Sequence, residues 1–301
     1  MDVQILFDML ELWPMARANY AALDKLLVRT VSNEAPTITL MFNPERVRST
    51  MAKVNASDIA RRQCFLCSAN RPAEQKSLVW RDYDVLANPF PIFKRHLTIA
   101  SRTHRPQDFE VCIDDMYLLA NELPQFSVFF NGPMCGASAP DHLHFQAGDS
   151  IFAPSPLQVE VDSGPEDLLI STPAVGQVYV SEASQRLVYH MVALSESAAS
   201  TLFARLCSLR WLRKDMLNAI ARSRGDGAVD FYIIPRRLFR PWQFSAEEGE
   251  EILISPATVE VAGIFVLPRR EDYDKMTRDA ALDIMKQVCF SSDATLAPVR
   301  Y

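Results

Sequence analysis

The 301-residue sequence has no apolar run near the ~18 residues that cross a bilayer, and it has no excess of positive charge. Its 31 Lys and Arg stand against 37 Asp and Glu, a net charge of −6. The first lack excludes a membrane span, and the second excludes the clustered Lys/Arg that duplex DNA or an anionic membrane requires. Neither nucleic acid nor membrane is expected as a partner. The opening MDVQILFDMLELW carries acids where a secretory leader carries bases, so a cytoplasmic location is expected. Only six Cys occur, and Cys112, Cys135, Cys207 and Cys289 are isolated in apolar or Gly-rich context, so no disulfide framework is expected. What is abundant is core: 49% hydrophobic and 23% charged residues exclude disorder, collagen and a disulfide-knotted miniprotein. The length allows two domains or one duplicated unit.

The segment from Asp2 to Val28 is apolar at helical spacing and is interrupted at Pro14, which predicts two short helices or a kinked one as a covering element. Alternation over Thr37 to Phe42 predicts a strand, followed by a basic stretch through Arg46, Arg48 and Lys53. Strands are expected at Tyr83 to Asn88, His96 to Ser101, Phe126 to Asn131 and His142 to Ala147, with a helix from about Gln107 to Leu123. A Pro- and Ser-containing connection begins beyond Ile151. Strands near Gln177 to Val180 and Arg186 to Ala193 and a helix from Ser195 to about Arg222 open a second half. Asp230 to Pro235 echoes Asp82 to Leu86, and Ala262 to Arg269 echoes His96 to Arg102. The expected fold is α+β, an antiparallel sheet with packed helices. Two pseudo-repeats, 1–150 and 151–301, are expected, with the chemistry confined to the first because His190 is the only His after residue 144.

Histidine is scarce, and four of the five (His96, His104, His142, His144) fall close to Cys64-Phe65-Leu66-Cys67 in the chain. In Asp141-His142-Leu143-His144-Phe145-Gln146-Ala147-Gly148, the period of a strand puts His142, His144 and Gln146 on one face. The loop Asn131-Gly132-Pro133-Met134-Cys135-Gly136-Ala137-Ser138 before it is built of small residues, whose N–H groups can converge on phosphate. Cys135 within it has no His assigned at catalytic spacing and is read as a small buried Cys. Cys64 and Cys67 have the spacing of a zinc knuckle, although a lone CxxC also occurs in redox folds and two more ligands are needed.

These residues carry a resemblance. His142-x-His144-x-Gln146 after Gly136-Ala137-Ser138 is similar to the signature of the transferase branch of the histidine-triad superfamily: galactose-1-phosphate uridylyltransferase, diadenosine tetraphosphate phosphorylase and GDP-L-galactose phosphorylase. DHLHFQAG and ISPATVEVAGIFVLPRREDY resemble the last of these most. A bacterial family carrying CFLC, NPFPIF and NGPxCGASAPDHxHFQAG is closer still. The resemblance covers Asn43 to Gly148 and, more loosely, Asp230 to Arg270, and is silent for the N-terminal helices and the middle.

The resemblance implies that His144 is the nucleophile and that Gln146 replaces the final His of the hydrolases. It implies a nucleotidyltransferase or phosphorylase acting on a nucleoside-diphosphate sugar or a dinucleoside polyphosphate, with phosphate or a sugar phosphate as acceptor. It also implies a structural zinc, with iron the alternative, on Cys64, Cys67, His104 and His142. His96 is the rival to His104. Asn88 and Phe90 would line the nucleoside cleft, and Asn131, Gly136, Ala137, Ser138, Arg46 and Lys53 would bind substrate. A homodimer is compatible with this reading. A hexose-1-phosphate uridylyltransferase and a nucleotide-binding module with little turnover are the alternatives. Physical chemistry agrees with the first reading, because a neutral imidazole can attack phosphorus if its second nitrogen is held as N–H by a carbonyl. A neutral Gln can bind a phosphoryl oxygen without offering a proton to water.

Overall fold

A computed structural model describes residues 1–32, 36–51, 55–149, 161, 164–181, 186–210 and 212–291. Lys53 and residues 151–160 of the Pro- and Ser-containing connection lie outside the described residues. The chain opens with helices α1 (Gln4–Asp8) and α2 (Pro14–Ala22), then strands β1 (Leu27–Ser32) and β2 (Ile38–Phe42). Pro14 sits in the first turn of α2, where its missing N–H costs nothing. Two short helices follow, α3 (Val47–Thr50) and α4 (Ala56–Arg61). Next come β3 (Ser77–Trp80), β4 (Tyr83–Ala87), β5 (His96–Ser101), α5 (Ile113–Glu122), β6 (Phe126–Asn131) and β7 (His144–Asp149). The second half contains β8 (Leu168–Thr172), β9 (Gly176–Ser181), β10 (Val188–Ala193), α6 (Glu196–Arg210), β11 (Leu217–Ser223) and β12 (Val229–Pro235). The last elements are α7 (Thr258–Val261), β13 (Ile264–Leu267), α8 (Arg270–Lys275) and α9 (Arg278–Val288).

The architecture is the α+β type expected from the sequence. A ten-stranded antiparallel sheet runs in the order β3-β4-β5-β7-β6-β11-β12-β10-β9-β8, and β1-β2-β13 form a separate three-stranded sheet. Each half of the large sheet is a three-stranded meander, a helix and a hairpin, and both halves meet at the β6–β11 pair. Read outward from that pair, the strands of the two halves follow the same order. The internal echo expected from the sequence does not fall on equivalent strands. Asp230 to Pro235 lies in β12, which holds the place of β7 rather than β4, and Ile264–Leu267 belongs to the small sheet.

Further boundaries differ: the strand expected from His142 begins at His144, because Leu143 N–H donates to Arg105 O outside the sheet and His142 lies in the turn before β7. The helix expected to reach Arg222 stops at Arg210, and Leu217–Ser223 is a central strand, paired on both edges, with Leu217, Ala219 and Ala221 buried on one face and Asn218 and Ile220 on the other. Leu27 and Val28, expected at the end of a helix, begin β1. The helix expected from Gln107 starts at Ile113, because Gln107 is drawn into the sheet.

One face of the large sheet is covered by α1, α2, α5 and α6, whose Leu6, Trp13, Met116, Leu119, Leu202 and Phe203 pack on Ile99, Phe130, Phe145, Ala219 and Phe231. Burying each such side chain stabilises the fold by about 1.5–3 kcal/mol before chain entropy is subtracted. The other face carries Phe129, Ile220 and Ile234, which pack against Val259, Val261, Ile264 and Val266 of α7 and β13. On the far side of the small sheet, Phe265 and Leu267 meet Tyr273, Ile284 and Met285 of α8 and α9. Among the described residues no helix is long and apolar enough to cross a membrane.

Candidate active site and metal centre

Strand β7 holds the centre of the site. Phe145 and Ala147 face the helices, while His144 and Gln146 face the opposite layer. His144 is buried, and its Nδ1 lies 2.8 Å from the carbonyl oxygen of His142. A carbonyl only accepts, so Nδ1 carries the proton and Nε2 keeps its lone pair. Burial lowers the His144 pKa to about 4, so the ring is neutral at physiological pH. A neutral imidazole with one nitrogen pinned as N–H is what nucleophilic attack at phosphorus requires.

Gln146 is oriented by a chain of hydrogen bonds that begins on the backbone. The Ile92 N–H donates to His96 Nδ1 at 3.1 Å, which leaves the His96 proton on Nε2. Burial, assisted by the Arg46 charge, lowers the His96 pKa to about 3 and keeps the ring neutral. Its Nε2–H donates to Gln146 Oε1 at 2.9 Å, and Asn88 Nδ2 also approaches that oxygen at 3.5 Å. With the Gln146 oxygen facing these donors, its Nε2 amide points away from them as a donor.

Asn88 also donates to Thr98 Oγ1 at 3.0 Å and accepts from the Phe90 N–H at 2.9 Å, so it braces the strand end that carries Phe90. Arg46 reaches the same segment, donating to Phe90 O at 2.9 Å, and burial lowers its pKa. Helix α2 is more than a cover. Its Asn19 donates to Pro89 O at 2.7 Å, and its Tyr20 hydroxyl donates to His96 O at 2.9 Å.

In the loop before β7, the N–H groups of Gly132, Met134, Cys135 and Ala137 are already used by Leu217 O, Asp215 O and Gly132 O. The amides of Gly136 and Ser138 make no hydrogen bond among the described residues, so a cradle here is made by two N–H groups rather than by the whole loop. Gly136 has φ +115°, and a Cβ there would lie 2.6 Å from Ala257 Cβ. Cys135 is fully buried, donates to Leu217 O, and has its thiol pushed up to about 12 by burial, which is a structural role. Asn131, expected to touch substrate, accepts at Oδ1 from Thr258 N (2.9 Å) and Asn218 Nδ2 (3.2 Å), while the single Thr258 hydroxyl proton lies within reach of both Asn131 Oδ1 (2.7 Å) and Phe130 O (2.8 Å). Through its oxygen Asn131 anchors the loop to α7.

Cys64, Cys67, His104 and His142 converge, with one ligand atom from each lying within 4.8 Å of all the others. Cys64 Sγ is 3.2 Å from His142 Nδ1, and Cys67 Sγ is 3.3 Å from His104 Nδ1 and 3.6 Å from His142 Nδ1. A tetrahedral ion with metal–S near 2.3 Å and metal–N near 2.0–2.1 Å has an S to N edge of about 3.5 Å, so the group fits. His142 Nε2–H donates to Ser101 O at 2.7 Å, which frees Nδ1 for a metal, and Asp141 Oδ2 lies 3.7 Å from His104 Nε2. Burial opposes ionisation of Cys64, but the Leu66 and Cys67 amides and a protonated His142 ring, whose Nδ1 proton a metal would displace, bring its pKa down to about 6. Burial and the neighbouring Cys64 raise that of Cys67. His96 lies outside the group, committed to Ile92 and Gln146. His190, on β10, pairs with Asp230 at 2.8 Å, four strands from β7.

Sequence reasoning missed Gln107, the orienting role of His96, and Arg62. Arg62 donates to Asp141 Oδ1 at 2.8 Å and to Ser138 O at 3.3 Å, joining the Cys pair segment to the cradle loop. No periodicity marks these residues, because each acts through side-chain contacts between segments far apart in the chain.

Comparison with known proteins agrees with the fold. The family model described as Domain of unknown function (DUF4922) matches residues 5–149, and that of the GDPGP1-like, C-terminal domain matches residues 219–295. No curated protein matches the sequence. Among solved structures, yeast Ap4A phosphorylase Apa2 aligns with a TM-score of 0.59 at 15% identity, over 92% of this chain and 97% of that one. The same yeast enzyme in complex with Ap4A aligns with a TM-score of 0.56 at 14% identity, over 92% and 96% of the two chains. The chain therefore shares the fold of yeast Ap4A phosphorylase Apa2.

Proposed function

We propose that this protein is a nucleotidyltransferase of the phosphorylase type that works through a covalent nucleotidyl-histidine on His144. The observation that carries the reading is the hydrogen bond from His144 Nδ1 to His142 O on a neutral, buried ring. In the first displacement the Nε2 lone pair forms a bond to the α-phosphorus. The P–O bond to the leaving group breaks, and its electron pair departs with that group. The proton stays on Nδ1, where the His142 carbonyl stabilises the charged ring. In the second displacement a phosphate or sugar-phosphate oxygen attacks phosphorus, and the P–N pair returns to Nε2.

Gln146 Nε2 donates to a non-bridging oxygen in both steps, and the Gly136 and Ser138 amides hold a neighbouring phosphate. Because Gln146 has no proton to give, the leaving group must depart without protonation. A sugar phosphate or a polyphosphate meets that condition, which favours a nucleoside-diphosphate sugar or a dinucleoside polyphosphate as substrate. Ap4A is bound by the yeast enzyme of similar fold. Asn88 and Phe90 belong to the proposed nucleoside side of the cleft, Arg46 and Lys53 remain proposed phosphate contacts, and Arg46 also donates to Phe90 O.

The four Cys and His ligands would hold zinc, with iron the alternative, in a closed structural site that fastens the Cys64–Cys67 segment to the start of β7. The division into a catalytic half, 1–150, and a second half without its histidines, 151–301, is part of the same proposal, supported by the matching strand order.

The test is incubation with a panel of α-phosphorus-labelled nucleotides without acceptor. An acid-labile label on the protein is expected, lost in His144→Gly. Turnover with no enzyme-bound nucleotide would establish direct transfer and overturn the mechanism.

A further inference from the structure

The β6–β7 ladder runs from Phe126↔Asp149 to Phe129↔Gln146 and ends there. Continued by two residues, it would set Asn131 opposite His144, with the two main chains exchanging N–H···O=C bonds. The side chain of Gln107 occupies that place instead. Its Oε1 accepts from His144 N–H at 2.8 Å, and its Nε2 donates to His144 O at 2.9 Å and to Asn131 O at 3.0 Å. Gln107 is only 4% exposed, and the partners permit one orientation of its amide. Its own segment is stitched to the run before β7, with Gln107 N–H donating to Pro140 O and Leu143 N–H donating to Arg105 O.

We propose that Gln107 is a positioning residue for the nucleophile, a side-chain amide that substitutes for a peptide group where β6 and β7 part. This rests on His144 being the nucleophile. A primary amide offers the same acceptor and donor as a peptide group, so the sheet opens by one amide width without stranding buried polar groups. The opening falls at the one residue whose ring must stand clear of the neighbouring strand. The imidazole is tied to main chain at His142 O, so a shift of the His144 backbone moves Nε2 relative to phosphorus. Without the amide, either the ladder closes and draws His144 toward Asn131, or the His144 N–H and C=O are left buried and unpaired.

The experiment measures the single-turnover rate of enzyme labelling at saturating substrate, using whichever of α-phosphorus-labelled Ap4A, UDP-glucose or GDP-glucose labels the unaltered protein. Gln107→Leu, nearly isosteric but without polar atoms, should slow labelling by about 100-fold, the scale of a 1 Å misplacement of reacting groups. The half-saturating concentration should stay within about threefold, since Gln107 acts behind the strand rather than on the ligand. Gln107→Glu supplies the second readout. Its buried carboxyl keeps an acceptor and, when protonated, one donor, so its rate relative to the unaltered protein should rise as pH is lowered.

A folded Gln107→Leu protein that labels at the unaltered rate would overturn the proposal. So would a Gln107→Glu to unaltered ratio that is flat with pH, which keeps the test decisive if Gln107→Leu does not fold. Absence of label on the unaltered protein during turnover would instead overturn the assignment of His144.

Discussion

His144 and His96 are buried rings kept neutral by desolvation, with pKa values lowered to about 4 and about 3. Two consequences follow at the scale of the residue. The acid limb of kcat/KM for the free enzyme should lie near pH 4 rather than near ~6.5, the ordinary His value, because Nε2 is lost as a nucleophile only when the ring is protonated. A limb at 6.5 would assign the attacking group elsewhere. In the unfolded chain both rings bind protons from ~6.5 downward, so the unfolded state holds more protons between that pH and the folded values. Stability contributed by the neutral rings is therefore complete above that range and is lost as pH falls toward 4 and then 3, which denaturant midpoints across the window would reveal. His96→Ala removes the donor that fixes the Gln146 oxygen. The amide is then able to flip, and the labelling rate should fall by about 10–100-fold, approaching the cost of losing one oxyanion donor. His96→Asn, which can still donate to Gln146, should recover part of that loss.

At the scale of the element, the loop before β7 depends on a glycine for a reason of space. Gly136 has φ +115° and touches Ala257, so Gly136→Ala brings both left-handed strain and a clash. A stability loss of about 1–2 kcal/mol is expected from the backbone alone, together with a raised KM because the cradle amides move. An unchanged KM would show that this loop does not bind the phosphate. The Cys64–Cys67 segment is the other such element. Its ties to the core are few, chiefly Leu66 against Leu86, Ala100 and Ala139, so the proposed metal supplies much of its order. About one zinc or iron per chain is expected on purification, and Cys64→Ser should lower both metal content and thermal midpoint. Full metal retention in the Cys64/Cys67 double variant would remove the metal assignment.

At the scale of the whole molecule, a cut at residue 150 does not separate two bodies. The β6–β11 pair joins the halves through one sheet, β2 pairs with β13 across the length of the chain, and a single hydrophobic cluster contains Phe130 and Phe145 as well as Ala219 and Phe231. Residues 1–150 expressed alone should therefore expose the β6 edge and fail to give a cooperative thermal transition, whereas the full chain should unfold in one. The site shares this dependence, because Asn131 is held by Thr258, which is 127 residues further along the chain. A stably folded 1–150 fragment with normal labelling would contradict it.

The sequence by itself determined the strands that bear the proposed site residues, save that β7, expected from His142, begins at His144. Period-two alternation fixed which side of β7 bears His144 and Gln146, and β5 and β6 lie at the bounds that their own patterns predict. It also named the Cys pair, since two thiols at that spacing announce themselves without any fold. Local pattern failed at Leu217–Ser223, where both faces are buried and the buried Asn218 is matched by tertiary hydrogen bonds that alternation does not reveal.

The resemblance implied His104 rather than His96 beside Cys64, Cys67 and His142, and the tertiary structure agrees, since one histidine opens β5 and the other follows it and they differ in what lies across from them. Only tertiary structure placed an amide from Gln107 between β6 and β7, or turned Gln146 by way of His96. A hydrogen bond spanning tens of residues depends on position to within a few tenths of an ångström, and periodicity in a single chain encodes direction along an element but not distance between elements.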